Sequence, residues 1–222
     1  MNPLKPMAAA LAALALLAAK TPAADWTHHV TQTPQGAFVL GNPAAKTRLV
    51  EYVSYTCPHC AHFTGEASAA LKAKYVANGS TAIEVRHAVR DPIDFAATLL
   101  ARCTGPAHFF ATHEKLFATQ QTWFDAGAQY IEANRDALNK LPQSQQLQML
   151  AKGAGLAGVV GMPDAQANAC IANAAGQKPV LAMTEEAWDQ RKISGTPYFL
   201  VNGAGLENTS NWAALEPHLK AN

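Results

Sequence analysis

The stretch Leu49–Cys60, which reads LVEYVSYTCPHC, decides the fold of this chain. Its first half is almost continuously apolar, which is typical of a parallel strand that is covered on both faces. The proline directly after Cys57 fits the first position of a helix, where a missing N–H breaks no hydrogen bond. We therefore predict a strand over 47–54 and a helix over 58–76, with both cysteines of the stretch at the start of the helix.

Outward from this stretch, Asn78-Gly79 ends the helix and a strand over 83–89 follows. Strand, helix and strand in close succession form a unit whose two strands are parallel. Asn202-Gly203 later gives the signal of a type I′ hairpin. The same patterns predict three further elements: strands over 38–40 and 198–201, and a closing helix over 212–220.

The segment 91–176 has a different pattern, with amphipathic helices separated by Gly and Pro. It is far longer than the roughly dozen residues that a parallel crossover needs. We therefore predict an α/β domain formed by 25–90 and 179–222, into which an all-helical domain of residues 91–178 is inserted.

The composition is that of an ordinary globular protein, with 49% hydrophobic and 15% charged residues in 222. Lys and Arg number 17 against 16 Asp and Glu, so the chain lacks the charge excess of proteins that bind nucleic acid or anionic membranes. The chain has four cysteines, whose role depends on the redox compartment.

The first 24 residues follow the pattern of a secretory signal peptide. A positive N-terminus precedes the apolar run Met7–Ala19, and small residues precede Asp25. The run has 13 residues, whereas a membrane span needs about 20, which disfavours a permanent anchor. An Ala-rich helix docked on the fold is the alternative. We predict a signal peptide over 1–24, cleaved after Ala23 or Ala24, and export of the mature chain.

The tetrapeptide Cys57-Pro58-His59-Cys60 carries the chemistry. Free N–H groups and the positive end of the helix dipole stabilise a thiolate at a helix start, so Cys57 is predicted to be acidic and reactive. Cys60, one turn further, is predicted to be the more buried resolving thiol, and His59 can add positive charge. Two cysteines on one helical turn can close a disulfide, whose ease of reduction depends on the stability of the thiolate.

Three other roles of this pair are disfavoured. A zinc site needs further ligands close by, but Cys103 and Cys170 are 67 residues apart and His62 alone does not complete the set. Haem attachment needs a histidine at position 61, which is Ala61. A purely structural disulfide is rarely placed at a strand-to-helix junction. We therefore predict neither a metal nor another cofactor.

Two segments resemble a known family. Glu51–Phe63 is similar to the strand and active-site turn of the DsbA-like thiol:disulfide oxidoreductases of the bacterial periplasm, which are members of the thioredoxin superfamily. Gly195-Thr196-Pro197, followed by a hydrophobic strand and Asn202-Gly203, is similar to the cis-proline loop of that family. The resemblance covers most of the mature chain.

The resemblance implies a thioredoxin fold split by a helical domain, in a periplasmic and monomeric enzyme. Its substrates would be unfolded or partly folded secreted proteins with cysteines, and a quinone-linked disulfide oxidase of the membrane would regenerate it. Cys57 would exchange with substrate, Glu51 would serve proton transfer for Cys60, and Pro197 would be cis and shape the substrate groove beside Thr196. The implied site residues are Glu51, Cys57, Pro58, His59, Cys60, Thr196 and Pro197.

Several alternatives stay open. Strong oxidases of the family often have valine before the cis proline, whereas Thr196 is shared with isomerases, so an isomerase or reductase is the second candidate. The segment Asp25–Gln35 is too short for much of an oligomerisation region, which favours a monomeric oxidase. A copper(I) carrier that uses the two cysteines is a third candidate. Glu51 could also lie at a strand end and reach solvent.

Two predictions concern the helical block. Cys103 and Cys170 both lie on apolar stripes, and an exported protein rarely keeps two thiols free, so we predict a disulfide between them. Two separate buried thiols are the alternative. His113, on an apolar stripe, is predicted to be a core histidine rather than a ligand.

Overall fold

A computed structural model describes residues 25–220 of the chain, so the predicted signal peptide lies outside the described residues. The strands are β1 (Val30–Gln32), β2 (Phe38–Leu40), β3 (Thr47–Val53), β4 (Thr81–His87), β5 (Tyr198–Val201) and β6 (Ala204–Leu206). The helices are α1 (Pro58–Leu71), α2 (Pro92–Cys103), α3 (Pro106–Ala118), α4 (Gln120–Leu138), α5 (Gln143–Gly153), α6 (Leu156–Val160), α7 (Asp164–Ala172), α8 (Ala174–Glu185) and α9 (Trp212–Lys220).

Within residues 25–220 the strands form one mixed sheet in the order β1-β2-β4-β3-β5-β6. β3 pairs with β4 in parallel, which confirms the predicted strand–helix–strand unit, and the other pairs are antiparallel. β3 lies inside the sheet and is buried along nearly its whole length, as its continuous apolar sequence predicts. The hairpin from β5 to β6 turns at Asn202 and Gly203, whose φ angles of 51° and 87° are those of the predicted type I′ turn.

The helix predicted over 58–76 is confirmed in extent, although its last turn widens into a π-helix over Lys72–Val76. The strand predicted over 83–89 lies two residues earlier, at Thr81–His87. It ends there because the next backbone N–H groups bond to side chains rather than to a neighbouring strand. The N–H of Val89 donates to Thr184 Oγ1 at 3.2 Å, and that of Arg90 donates to Asp94 Oδ2 at 3.0 Å. The short strand β1 was not predicted, and β6 was implied only as the second strand of the Asn202-Gly203 hairpin, without bounds.

The helices α2 to α8 lie between β4 and β5, as the predicted insertion requires. α2 is at its centre, buried continuously over Ile93–Ala101 and packed against α3, α5, α6, α7 and α8. The proposed domain boundary at residue 178 falls within α8, which contacts both α7 and β4. α8 therefore links the insertion to the sheet.

The predicted disulfide is confirmed: Cys103, at the end of α2, is bonded to Cys170 in α7, with 6.1 Å between their Cα atoms. That separation lies within the usual range for a disulfide. The bond joins two helices of the insertion that are far apart in sequence.

The largest apolar cluster lies where the insertion packs on the sheet, and it includes Cys57 and Cys60. A second cluster covers the α1 and α9 side of the sheet. The active-site stretch is therefore at the junction of the two parts of the fold. None of the helices in residues 25–220 is long and apolar enough to cross a membrane.

Candidate redox site

Cys57 and Cys60 lie where β3 passes into α1. Cys57 is the N-cap of α1 in an extended conformation, and Pro58 occupies the first helical position. Both thiols are free in this structure, and both residues are buried, with 2% and 0% of their surface exposed. The cap makes no side-chain hydrogen bond of the usual kind, so the N–H groups of the first turn remain available to the sulfur of Cys57.

The pKa of the Cys57 thiol falls from 9.0 to about 4. A hydrogen bond from the Cys60 thiol makes the largest contribution, and burial acts in the opposite direction. The backbone N–H groups of Cys60 and His59 lower the pKa further. This confirms the predicted acidity of Cys57, which is mostly thiolate at neutral pH.

The loop before β5 faces this sulfur. The Thr196–Pro197 peptide bond is cis, as predicted. Cys57 Sγ lies 3.1 Å from the carbonyl oxygen of Thr196, to which the protonated thiol donates a hydrogen bond. That carbonyl stabilises the thiol rather than the thiolate, and the donors around Cys57 outweigh it. The loop is thereby placed against the reactive atom.

Cys60 has the opposite acidity. Burial is the main reason why the pKa of its thiol rises well above 9.0, and the hydrogen bond to Cys57 and the negative charge of Cys57 raise it further. A thiol with this environment is a poor leaving group unless it receives a proton. Cys60 therefore needs a proton donor close by when it leaves a disulfide.

Glu51 lies in the middle of β3 and is only 4% exposed, so the alternative of a strand-end glutamate in solvent is wrong. Its neighbours on the adjacent strands are Val85 and Phe199, both apolar. Oε1 of Glu51 has no hydrogen-bond partner within the described part of the chain. Burial raises the pKa of this carboxyl from 4.5 to about 8, so it is mostly protonated at pH 7.

Two aspartates at the start of α2, the N-cap Asp91 and Asp94, hold the turn that leads to Cys57, and sequence reasoning missed this role. Asp94, fully buried, accepts from the N–H of Tyr55 at 2.8 Å, and Asp91 accepts from Thr56 Oγ1 at 2.5 Å. Burial raises the pKa of Asp94 to about 7. Asp91 also caps α2 through the N–H of Asp94 at 2.9 Å. The Asp-Pro pair marks the helix start in the sequence, but nothing local shows which turn it faces.

Gln120, the first residue of α4, was also missed. Its amide nitrogen Nε2 donates to the carbonyl of Tyr55 at 2.7 Å and to that of Cys57 at 2.9 Å. The residue is buried, with 9% of its surface exposed. No sequence signal points to it, because the contact spans more than sixty positions.

The histidines near the site have separate roles. His113 is a core histidine, as predicted: it is buried, its Nδ1 lies 3.1 Å from the Tyr55 hydroxyl, and burial lowers its pKa to about 3. His59 is exposed and acts on Cys57 through its backbone N–H, and a role for its charge stays a prediction. His62 is exposed and pairs with Glu66 at 2.6 Å. Among residues 25–220, no group of three or more His, Cys, Asp or Glu side chains is arranged to hold a metal ion.

The thioredoxin family model matches residues 32–221 of this chain. The chain belongs to the thioredoxin family. Two curated relatives have names that propose protein-disulfide oxidoreductase activity: one from Rickettsia typhi, 30% identical over 173 residues, and one from Rickettsia bellii, 29% identical over 172. Each match covers 78% of this chain but only 57% and 59% of the relative, so the chain spans less than two thirds of their length.

Solved structures agree on the fold. A structure named as a protein-disulfide isomerase from Novosphingobium aromaticivorans has a TM-score of 0.76 and 40% identity, and the match covers 82% of this chain and 95% of that one. Wolbachia pipientis α-DsbA1 has a TM-score of 0.66 at 19% identity, covering 86% and 92%. The fold is a thioredoxin fold with a helical insertion, which the chain shares with the DsbA-like solved structures.

Proposed function

We propose that this protein is an oxidase that introduces disulfides into unfolded or partly folded secreted proteins in the periplasm. The observation that carries the proposal is the pKa of Cys57, about 4, beside a buried Cys60 with a raised pKa. A stable Cys57 thiolate favours the reduced form of the pair, so the disulfide form readily takes electrons from a substrate.

The reaction consists of two exchanges. A substrate thiolate attacks Sγ of Cys57 in the Cys57–Cys60 disulfide, a mixed disulfide forms, and Cys60 leaves with the electron pair and takes a proton. A second substrate thiolate then attacks the substrate sulfur of the mixed disulfide, and Cys57 leaves as a thiolate. The substrate loses two electrons and gains a disulfide, while the enzyme is reduced. A quinone-linked disulfide oxidase of the membrane would then reoxidise it.

Glu51 is proposed as the proton donor for Cys60. Its carboxyl group holds a proton at neutral pH because of burial, and it lies close enough to the Cys60 thiol for the two groups to interact electrostatically when Glu51 is ionised. It borders a cavity of about 30 Å³, which has room for a water molecule. The hydroxyls of Thr64 and Ser68 belong to the lining of this cavity, so water there can return the proton to Glu51.

Thr196 and Pro197 are proposed to receive the substrate. Their loop lies against the sulfur that a substrate attacks, with the Thr196 carbonyl 3.1 Å from Cys57 Sγ. An extended substrate segment can pair with such a backbone by strand addition. Pro58 and His59 complete the proposed site by starting α1 and by supplying a backbone N–H.

An isomerase or reductase is the second candidate. Two observations favour it: Thr196 precedes the cis proline, and the Novosphingobium structure at 40% identity is named as an isomerase. Equilibration of the Cys57–Cys60 pair with glutathione separates the candidates. An oxidase is expected to have a potential above about −180 mV, toward the roughly −120 mV of a strong oxidant. A potential near the −270 mV or so of thioredoxin would refute the oxidase.

Two further measurements complete the test. The oxidised protein is expected to restore activity to a reduced, unfolded enzyme whose native state contains disulfides, in the absence of glutathione. Metal analysis of the purified protein tests the copper(I) carrier, because stoichiometric copper on the Cys57–Cys60 pair would favour that candidate instead.

A further inference from the structure

The turn that carries Cys57 is held largely from the helical insertion. α2 contacts it through Asp91 and Asp94, and α4 contacts it through Gln120. The contact by Gln120 differs from the others because it reaches the carbonyl of Cys57 itself, at 2.9 Å. One amide group thus bridges two carbonyls on either side of a reactive thiolate.

These carbonyls matter electrostatically. A carbonyl oxygen carries partial negative charge, and the oxygen of Cys57 belongs to the same residue as the thiolate. Inside a protein the low dielectric makes such a dipole count for much more than in water. The only backbone N–H that reaches this oxygen in the described residues is that of Ala61, at a long 3.3 Å. Gln120 therefore provides the shorter hydrogen bond to the Cys57 carbonyl.

We propose that Gln120 is a positioning residue for Cys57: its amide offsets two carbonyl dipoles beside the thiolate, so that the helical insertion sets the redox equilibrium of the active-site pair. Gln120 touches neither the sulfur nor a substrate and acts through the backbone of the turn. The inference rests on the proposed function only in taking Cys57 as the reactive thiol.

The surroundings of Gln120 fix the position of its side chain. It follows a break between α3 and α4 at Thr119, and the indole N–H of Trp123 donates to the carbonyl of Leu116 at 2.8 Å across that break. Trp123 is itself buried. The junction of the two helices is thereby fixed, and the amide is aimed at the turn. Any movement of the insertion relative to the sheet would change both hydrogen bonds together.

Two substitutions test the proposal in the full chain. Gln120→Met keeps the volume and removes both hydrogen bonds, while Gln120→Glu replaces the donor by a carboxylate that faces two carbonyl oxygens. Gln121 is the matched control because it is adjacent in α4 and bonds only to the exposed carboxylate of Asp125 in the described structure. Gln121→Met and Gln121→Glu therefore make the same chemical changes away from the turn.

The readouts are the pH dependence of thiolate absorbance near 240 nm and the equilibrium with glutathione. We expect the pKa of Cys57 to rise by about one unit in Gln120→Met, which shifts the glutathione equilibrium roughly tenfold toward the oxidised pair. Gln120→Glu should shift the pKa of Cys57 and the glutathione equilibrium further in the same direction. The two Gln121 variants should change neither the pKa nor the equilibrium. The nearby titratable groups Cys60, His59 and Glu51 are the same in all four variants.

A purely structural role predicts a different result. It would lower the melting temperatures of the oxidised and reduced forms together and leave the pKa of Cys57 unchanged, which would overturn the proposal. Gln120→Met carries the decision if the Glu variant does not fold, since it preserves the buried volume. If Cys57 of the unchanged protein is not acidic, the proposed oxidase function fails first. If it is acidic and insensitive to Gln120, only the present inference fails.

Discussion

Cys57 and Cys60 lie one helical turn apart, yet their thiols have opposite acidities. Cys57, at the helix start, accepts several hydrogen bonds, whereas Cys60 is fully buried and next to the negative Cys57 thiolate. The difference follows from position on α1 rather than from the residue type. In a pair with this asymmetry, exchange with substrate takes place only at the sulfur of Cys57.

This asymmetry makes a prediction about trapping. Cys60→Ala should accumulate mixed disulfides with substrate, because the second thiol is gone and Cys57 stays reactive. Cys57→Ala should accumulate none, because Cys60 is buried and protonated. Non-reducing gels of each variant with a reduced, unfolded substrate measure this. Equal trapping by both variants would contradict the assignment of Cys57 as the reactive thiol.

Glu51 makes a second prediction at this scale. Glu51→Gln should slow reduction of the Cys57–Cys60 disulfide by a dithiol about 100-fold at pH 7, since a positioned acid contributes roughly 100-fold or more. In the unchanged protein, the acceleration due to protonated Glu51 should disappear as pH rises through about 8. The rate of the variant should show no such decrease near pH 8. Stopped-flow fluorescence follows the reaction. Glu185→Gln, an exposed residue, is the control.

The stability of the Glu51 variant provides an independent check. The folded pKa of about 8 lies above the ordinary 4.5, so the buried acid stabilises the fold fully below 4.5 and loses that contribution as pH rises through 8. The unfolding free energy of Glu51→Gln, relative to that of the unchanged protein, should therefore be higher at pH 9 than at pH 4. Urea denaturation at both pH values measures the difference. If the difference in unfolding free energy between the variant and the unchanged protein is the same at pH 4 and pH 9, Glu51 is not buried as a neutral acid.

At the scale of elements, the bond between Cys103 and Cys170 ties the end of α2 to α7. α2 also holds the active-site turn through its N-terminal aspartates, so both ends of this helix are fixed. The helix is buried along its centre and contacts five other helices. The insertion is therefore organised around α2.

Removal of this disulfide should be costly. With a separation of 67 residues, its loss in Cys103→Ala/Cys170→Ala should lower the free energy of unfolding by roughly 4 kcal/mol on the loop-entropy estimate. Denaturant unfolding of the double variant, with Cys57 and Cys60 intact and reduced, gives the value. Peptide mapping without reductant is the direct check, and an alkylated Cys103 in the oxidised protein would show that the bond does not form.

At the scale of the whole molecule, the redox state of one pair is coupled to the stability of the fold. The thiolate of Cys57 is stabilised only in the folded, reduced protein, because the donors around it come from the first turn of α1. The disulfide form has no such charge. Folding free energy and redox potential are therefore linked through the same hydrogen bonds.

The reduced protein should be more stable than the oxidised one at pH 7. The folded pKa of Cys57, about 4, lies below its unfolded value, so the stabilisation is full above about 8.5 and is lost as pH falls through about 4. Allowing for solvent screening at the edge of the site, it contributes roughly 2 to 4 kcal/mol at pH 7. Thermal melts of both forms at pH 7 and pH 4 test this. An oxidised form that melts higher at pH 7 would contradict the oxidase.

The sequence by itself determined the features that depend on neighbouring residues. Periodicity predicted the strand and helix of the active-site stretch, and Asn202-Gly203 predicted the hairpin turn between β5 and β6. The helix start predicted the acidity of Cys57, although the hydrogen bond from the Cys60 thiol contributes most to it. These features are recoverable because strand period, helix capping and turn conformation act over a few residues.

Only the tertiary structure decided which distant groups meet. It placed Gln120 and Asp94 on the turn before Cys57, and it buried Glu51 between Val85 and Phe199. It also ended β4 two residues earlier than its apolar run predicts, because side chains from other helices bind the backbone there. The physical reason is that hydrogen bonds and burial between distant residues depend on how whole helices pack, and a local pattern of polar and apolar residues does not specify that packing.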